Sequence, residues 1–250
     1  MKEWQFEDLW KALWSFKELG VKAVEITGGG DPTCYGKINE LIDLCFCQIG
    51  KVGIITNGVA LDKISRENLN RLTWLRISLN SLDYVDKLNI PKIKGTLGFS
   101  YVWTKQANID DKLSWLVKMK RKHKAAFVRV VPNCLSATDI ERFKETMEPL
   151  KQWYPELFFQ TKNYMKPDRC IFGYFKPFLN SDGYVYHCSA IPLLNRKFDE
   201  RFRLCHWKDI RKAWSKPEWF NTEKCGLCFF KEQNQLLEQL LVKVPHEEWI

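Results

Sequence analysis

The 250-residue sequence has no apolar run of the roughly 20 residues that cross a bilayer, so no membrane partner is expected. Its opening, MKEWQFEDLW, lacks the basic and then apolar layout of a signal peptide, which points to a cytoplasmic protein. Internal repeats and low-complexity segments are also missing. Without an export signal, the nine cysteines do not read as a disulfide framework. In a reducing compartment clustered thiolates hold metal, and isolated ones pack as small hydrophobes.

What the chain does have is core-forming material. Hydrophobic residues make up 45%, with 16 Phe and 11 Trp, so a packed globular protein is expected. With 39 basic against 30 acidic residues, the net charge of +9 favours a polyanion such as RNA or an acidic peptide. The densest basic stretch, KMKRKHK at 118–124, fits a helix end, where cations meet the dipole. An RNA-facing patch is the alternative.

Phe6, Leu9, Trp10, Leu13, Trp14 and Phe16 recur at helical spacing before Gly20, an amphipathic helix with a glycine stop. KAVEIT then reads as a strand running into GGGDPT. INELIDLCFC is the next helix, and KVGIIT the next strand, ended by Asn57-Gly58. SRENLNRL is helical, WLRISLN extended, GTLGFSYVWT extended, NIDDKLSWLVKMKRKH helical, and AAFVRVV a strand ended by Pro132. Strands separated by helices argue for an α/β fold with parallel strands, whose C-terminal ends face ligands. The chain opens on a helix, so a strand expected before it is absent. A helix from about Thr138 to Trp153 closes this half. The division is therefore 1–153 and 154–250, the second part a small cysteine-rich α+β domain punctuated by Pro155, Pro167, Pro177 and Pro192.

Cys170 and Cys188 bracket a hairpin whose turn is NSDG, and CGLC supplies Cys225 and Cys228. A CxxC turn aims two sulfurs at one metal, and the hairpin can bring the earlier pair alongside. Four thiolates suit Zn²⁺ or an iron–sulfur cluster, and spacing does not choose between them. Strand alternation would point His187 away from the side of Cys188.

C-x12-G-x4-C (Cys170, Gly183, Cys188) followed by C-x2-C resembles the auxiliary-cluster domain of radical S-adenosylmethionine (SAM) enzymes, called SPASM in its full form and twitch in its short form. No cysteine follows Cys228, so the twitch form is the closer match. The resemblance implies a [4Fe-4S] cluster on Cys170, Cys188, Cys225 and Cys228, with Cys205 a substitute ligand or a core thiol. EITGGGDPT is similar to the family's glycine motif, whose backbone meets the methionine amino group of SAM. By the same likeness Gly28, Gly29, Gly30, Asp31, Asn57, Ser78, Asn80 and Val131 are expected around SAM, in a partial parallel (β/α) barrel lacking its first strand. Asp31 stands where the family has glutamate, and either meets the SAM ammonium or caps the next helix. A peptide or small-molecule substrate and an electron-donor protein are the implied partners.

The family's CxxxCxxC, which holds the SAM-cleaving cluster, is not present. Cys34, Cys45 and Cys47 have the wrong spacing and read as core or incidental thiols. Two explanations stand: an upstream or separate segment carries the motif, or the chain is a cluster-less member serving as a scaffold. A zinc-stabilised RNA-binding protein is the reading from another class. Glu25, Arg76 and Arg129 point into the barrel or out of it with equal ease, and Tyr101 and Trp103 share a face that lines the pocket or packs in the core.

Overall fold

Alternating β-forming and helical stretches between residues 20 and 162 fold into one six-stranded parallel sheet. The computed structural model describes residues 4–28, 30–104, 108–134, 136–160, 165–190, 199–223, 225–226 and 228–241. The strands are β1 (Val24–Ile26), β2 (Val52–Thr56), β3 (Trp74–Ser78), β4 (Thr96–Trp103), β5 (Phe127–Pro132) and β6 (Leu157–Phe159). They lie side by side in chain order, every pair parallel. Helices α2 (Ile38–Gln48), α3 (Arg66–Arg71), α4 (Ile109–His123) and α5 (Ala137–Met147) make connections between strands. Ser65, Asn108 and Ser136 cap α3, α4 and α5, each accepting a backbone N–H three residues on.

A sheet wound in one direction with right-handed crossovers collects its helices on one face and leaves the other for ligands. Ile54, Leu75, Ile77, Phe99, Val128 and Val130 line the helix-covered face and are fully buried. Tyr101 belongs to that layer, its ring against Trp115 of α4 at 6.4 Å. Of the two expectations for Tyr101, core packing is the one realised, because its parity along β4 matches Phe99. Alternation puts Glu25, Trp74, Arg76, Ser78, Ser100, Arg129 and Val131 on the opposite, inner face.

Two glycines shape the lower end of that inner face by the absence of a side chain. A Cβ on Gly53 would lie 2.0 Å from the Trp74 ring, and one on Gly98 would lie 2.2 Å from the Phe127 ring. Each ring therefore lies flat across its register neighbour, forming an aromatic floor. KMKRKHK ends α4 as expected, with Lys124 in the left-handed cap conformation (φ 53°).

β6 was not foreseen. Three residues behind Pro155 are too short to show a period, yet β6 pairs with β5 and carries the sheet past the expected division at 153/154. The compact units are residues 20–162 and, separately, residues 1–19 with 163–250. Helix α1 (Phe6–Glu18) thus groups with the C-terminal part: Phe16 meets Trp214 edge-on at 5.7 Å, and Trp4 Nε1 donates to the Asn180 carbonyl at 3.1 Å.

The C-terminal unit contains two small antiparallel sheets, β7 (Arg169–Cys170) with β11 (Phe220–Asn221), and β8 (Phe178–Leu179), β9 (Tyr184–Tyr186) and β10 (Arg203–His206). Helices α6 (Ile210–Ser215) and α7 (Lys231–Leu240) complete its described part. NSDG makes the β8–β9 turn, with Gly183 at φ 88° donating its N–H to the Asn180 carbonyl.

Candidate functional site

Beyond β1 the chain reaches Gly28 and Gly30, both exposed, with Gly30 at φ 147°, a conformation that side chains rarely adopt. A Cβ built on Gly30 would meet nothing, so its backbone faces open space. Gly29 lies outside the described residues. Asp31 anchors this loop. Its carboxylate accepts from Thr33 N (3.0 Å), Thr33 Oγ1 (2.6 Å), Thr56 Oγ1 (2.9 Å) and Asn57 N (2.6 Å). That set fills its accepting capacity. Asp31 thus caps the short turn after the glycines, one of its two expected roles, and also ties the loop to the end of β2. Thr56, 3% exposed and unremarked in the sequence, passes the connection on by accepting the Gly58 N–H. The Asn57 side chain accepts from Val59 N.

Ser78 ends β3 on the inner face. Asn80, two residues on, commits its amide to the backbone of Val102, accepting from its N–H at 2.7 Å and donating to its carbonyl at 2.9 Å. It thereby acts as one more rung between β3 and β4. Val131 is buried on the inner face of β5. Of the residues expected around SAM, Gly28, Gly30, Ser78 and Val131 belong to the upper inner face and its rim, while Asp31, Asn57 and Asn80 hold the rim together.

Below the rim the inner face is charged. Burial pushes the Arg129 guanidinium down to about 10, nearby Arg76 adds to the fall, and Glu25 opposes it. Arg76 is lowered by burial against the same Glu25. The Nε atoms of both arginines are buried without a hydrogen-bond partner. The three residues therefore share one electrostatic neighbourhood, a matter left even by their sequence.

In the C-terminal unit, Cys170, Cys188, Cys225 and Cys228 line one cavity, walled by Phe172, Phe202, Phe220 and Phe230. Asn234 of α7 holds one side. Fully buried, it accepts from Ile171 N at 2.8 Å and donates to the Arg169 carbonyl at 3.0 Å, gripping the chain on both flanks of Cys170. Phe172 and Phe230, each two residues after a cysteine, stack at 4.4 Å and bring Cys170 and Cys228 to one wall. Cys225 donates its N–H to Thr222, whose hydroxyl bonds the carbonyls of Pro167 and Asp168. Neither Asn234 nor Thr222 carried a sequence signal, since polar residues in a helix or loop are ordinarily solvated.

Burial, reinforced by the neighbouring cysteines of the quartet, drives the Cys188 thiol up to about 12 and Cys225 to about 11. Backbone N–H groups two residues on oppose this at Cys170, Cys188 and Cys228; the Ala190 N–H reaches Cys188 Sγ at 3.3 Å. Desolvated sulfurs with N–H dipoles aimed at them suit a thiolate-bound metal centre, in which the metal replaces the protons. Four sulfurs on a single Zn²⁺ would sit about 3.8 Å apart, from Zn–S of about 2.3 Å. Among the described residues no three Cys, His, Asp or Glu are arranged to hold a single ion. Four thiolates suit either Zn²⁺ or an iron–sulfur cluster, and the cavity lining is common to both.

Cys205 is not part of the cavity lining; it sits in β10 opposite Val185. His187 is, contrary to expectation. β9 ends at Tyr186, so strand alternation no longer governs the next residue, and its ring stacks on Phe220 at 4.5 Å. Burial lowers it to about 4, leaving a neutral imidazole whose Nδ1 has no partner.

The parallel sheet, with its glycine loop open at the strand ends, has a radical SAM-like fold. Among solved structures it is similar to that of SuiB from Streptococcus suis bound to S-adenosylmethionine, with TM-score 0.56, 18% identity, and coverage of 81% of this chain and 57% of SuiB. SuiB bound to the precursor peptide SuiA matches with TM-score 0.53 and 17% identity over 78% of this chain and 55% of SuiB. At these identities the likeness is one of fold. The chain spans 55–59% of SuiB's length. No family model matches the sequence. No curated protein matches it either. Among the described residues no helix is long and apolar enough to cross a membrane.

Proposed function

We propose that this chain is the body of a radical SAM-type oxidoreductase that binds SAM at the rim of its sheet, modifies a peptide, and carries one auxiliary [4Fe-4S] cluster. The observation that carries the reading is the pairing of a radical SAM-like sheet with four cysteines on one apolar cavity. Gly28 to Gly30 would offer bare backbone to the methionine end of SAM, while Asp31 keeps the loop in position. Cys170, Cys188, Cys225 and Cys228 would hold the cluster, and the phenylalanines around them exclude water. Bound there, such a cluster supplies an electron acceptor or an anchor for substrate. SuiB's complex with a precursor peptide supports a peptide as substrate. The SAM-cleaving CxxxCxxC is not in these 250 residues, so in this reading another segment or chain provides it, with a protein electron donor.

Anaerobic reconstitution with iron and sulfide tests the cluster. About four irons per chain are expected, lost in Cys225→Ala. Stoichiometric zinc with no iron would overturn it. Calorimetric titration with SAM tests the rim, where measurable binding by the reconstituted chain is expected and its absence refutes the reading.

A further inference from the structure

The charged side chains that β1 to β6 place on the inner face are two arginines and one glutamate, leaving an excess of one positive charge. Arg76 stands in register with Gly98, and Arg129 with Ser100, so the two stems flank β4 where it carries its smallest side chains. Below them lies the aromatic floor: the Arg76 guanidinium carbon is 5.8 Å from the Trp74 ring centre, and Phe127 covers Gly98. The result is a shallow trough with an apolar base and a guanidinium on each side. Half-buried charges left in excess cost free energy unless an anion completes them. A guanidinium's planar donors match a carboxylate.

We propose that this trough is the specificity-determining part of the substrate site and takes the carboxylate of an acidic side chain in a peptide. The inference rests on the reading of the inner face as the substrate side. The methionine carboxylate of SAM has the same chemistry, and the experiment separates the two sources.

The full chain is titrated with acetyl-Ala-Glu-Ala-amide, its Gln counterpart, and SAM. The glutamate peptide should bind at least about tenfold more tightly than the glutamine peptide, as expected for a charge-assisted pair. R129Q should abolish that preference and leave SAM affinity unchanged, and R129K should retain part of it. E25Q leaves both arginines in place and removes the competing anion, so it should raise affinity for the glutamate peptide. Equal binding of the two peptides by the wild-type chain overturns the proposal. So does a loss of SAM binding in R129Q with the peptide preference intact, which assigns the trough to SAM. A glutamate preference in a chain that fails to bind SAM would support the trough while refuting the proposed function.

Discussion

Replacing Asn234 with leucine tests how the cysteine cavity is held. Asn234 is fully buried, and its amide makes two hydrogen bonds to backbone on either side of Cys170. Leucine of similar volume removes both and leaves the Ile171 N–H and the Arg169 carbonyl without partners in a site closed to water. Each buried orphan costs about 1–3 kcal/mol, and the added apolar burial returns about 1 kcal/mol. A net loss of about 1–5 kcal/mol is expected, or roughly 2–20 °C in Tm for a chain of this size. Gln235, exposed on the same helix, is the control, and Gln235→Leu should stay within about 0.5 kcal/mol of wild type. Urea denaturation of the three proteins measures the difference, and iron content after reconstitution shows whether Cys170 keeps its place. The reasoning is refuted if Asn234→Leu lies within about 1 kcal/mol of the control and retains full iron.

Asp31→Ala should cost about 2–4 kcal/mol, since it strands the Thr33 and Asn57 N–H groups, and Asp31→Asn less, because one oxygen still accepts; equal stability of all three in urea would disprove the anchoring role. Gly53→Ala drives a methyl into the Trp74 ring and should destabilise by about 1–3 kcal/mol. Combining it with Trp74→Ala should recover most of that, and a double-mutant cycle showing no coupling would argue against the stacked floor. Cys205→Ser should retain the iron that Cys188→Ser loses, measured by iron content and the visible spectrum; the opposite pattern would reassign the quartet.

The periodic elements were legible because they are local. The β-branched run VGIIT, the alternation of WLRIS and the helical spacing of IDDKLSWLVKMKRKH need no distant partner to be read. β6 was not, since three residues carry no period and only the β5 edge makes them a strand. Cys170, Cys188, Cys225 and Cys228 could be grouped from spacing and the NSDG turn. His187 escaped because its direction depends on where β9 stops. At the rim of the sheet the glycines were visible, but the duties of Asp31 and Asn80 were not, since their partners lie 25 and 22 residues away in sequence.

By itself, then, the sequence determined the type of sheet, the glycine-rich strand end and the cysteine quartet, all of which follow from residue type at short range. The tertiary structure decided which face each strand residue shows. A period of two separates Glu25, Arg76 and Arg129 from their neighbours without saying which set meets the helices, and only the packing of α4 against Phe99 and Tyr101 settles it. The charge excess on the inner face exists because of that choice, since a one-residue slip would carry both arginines into the core.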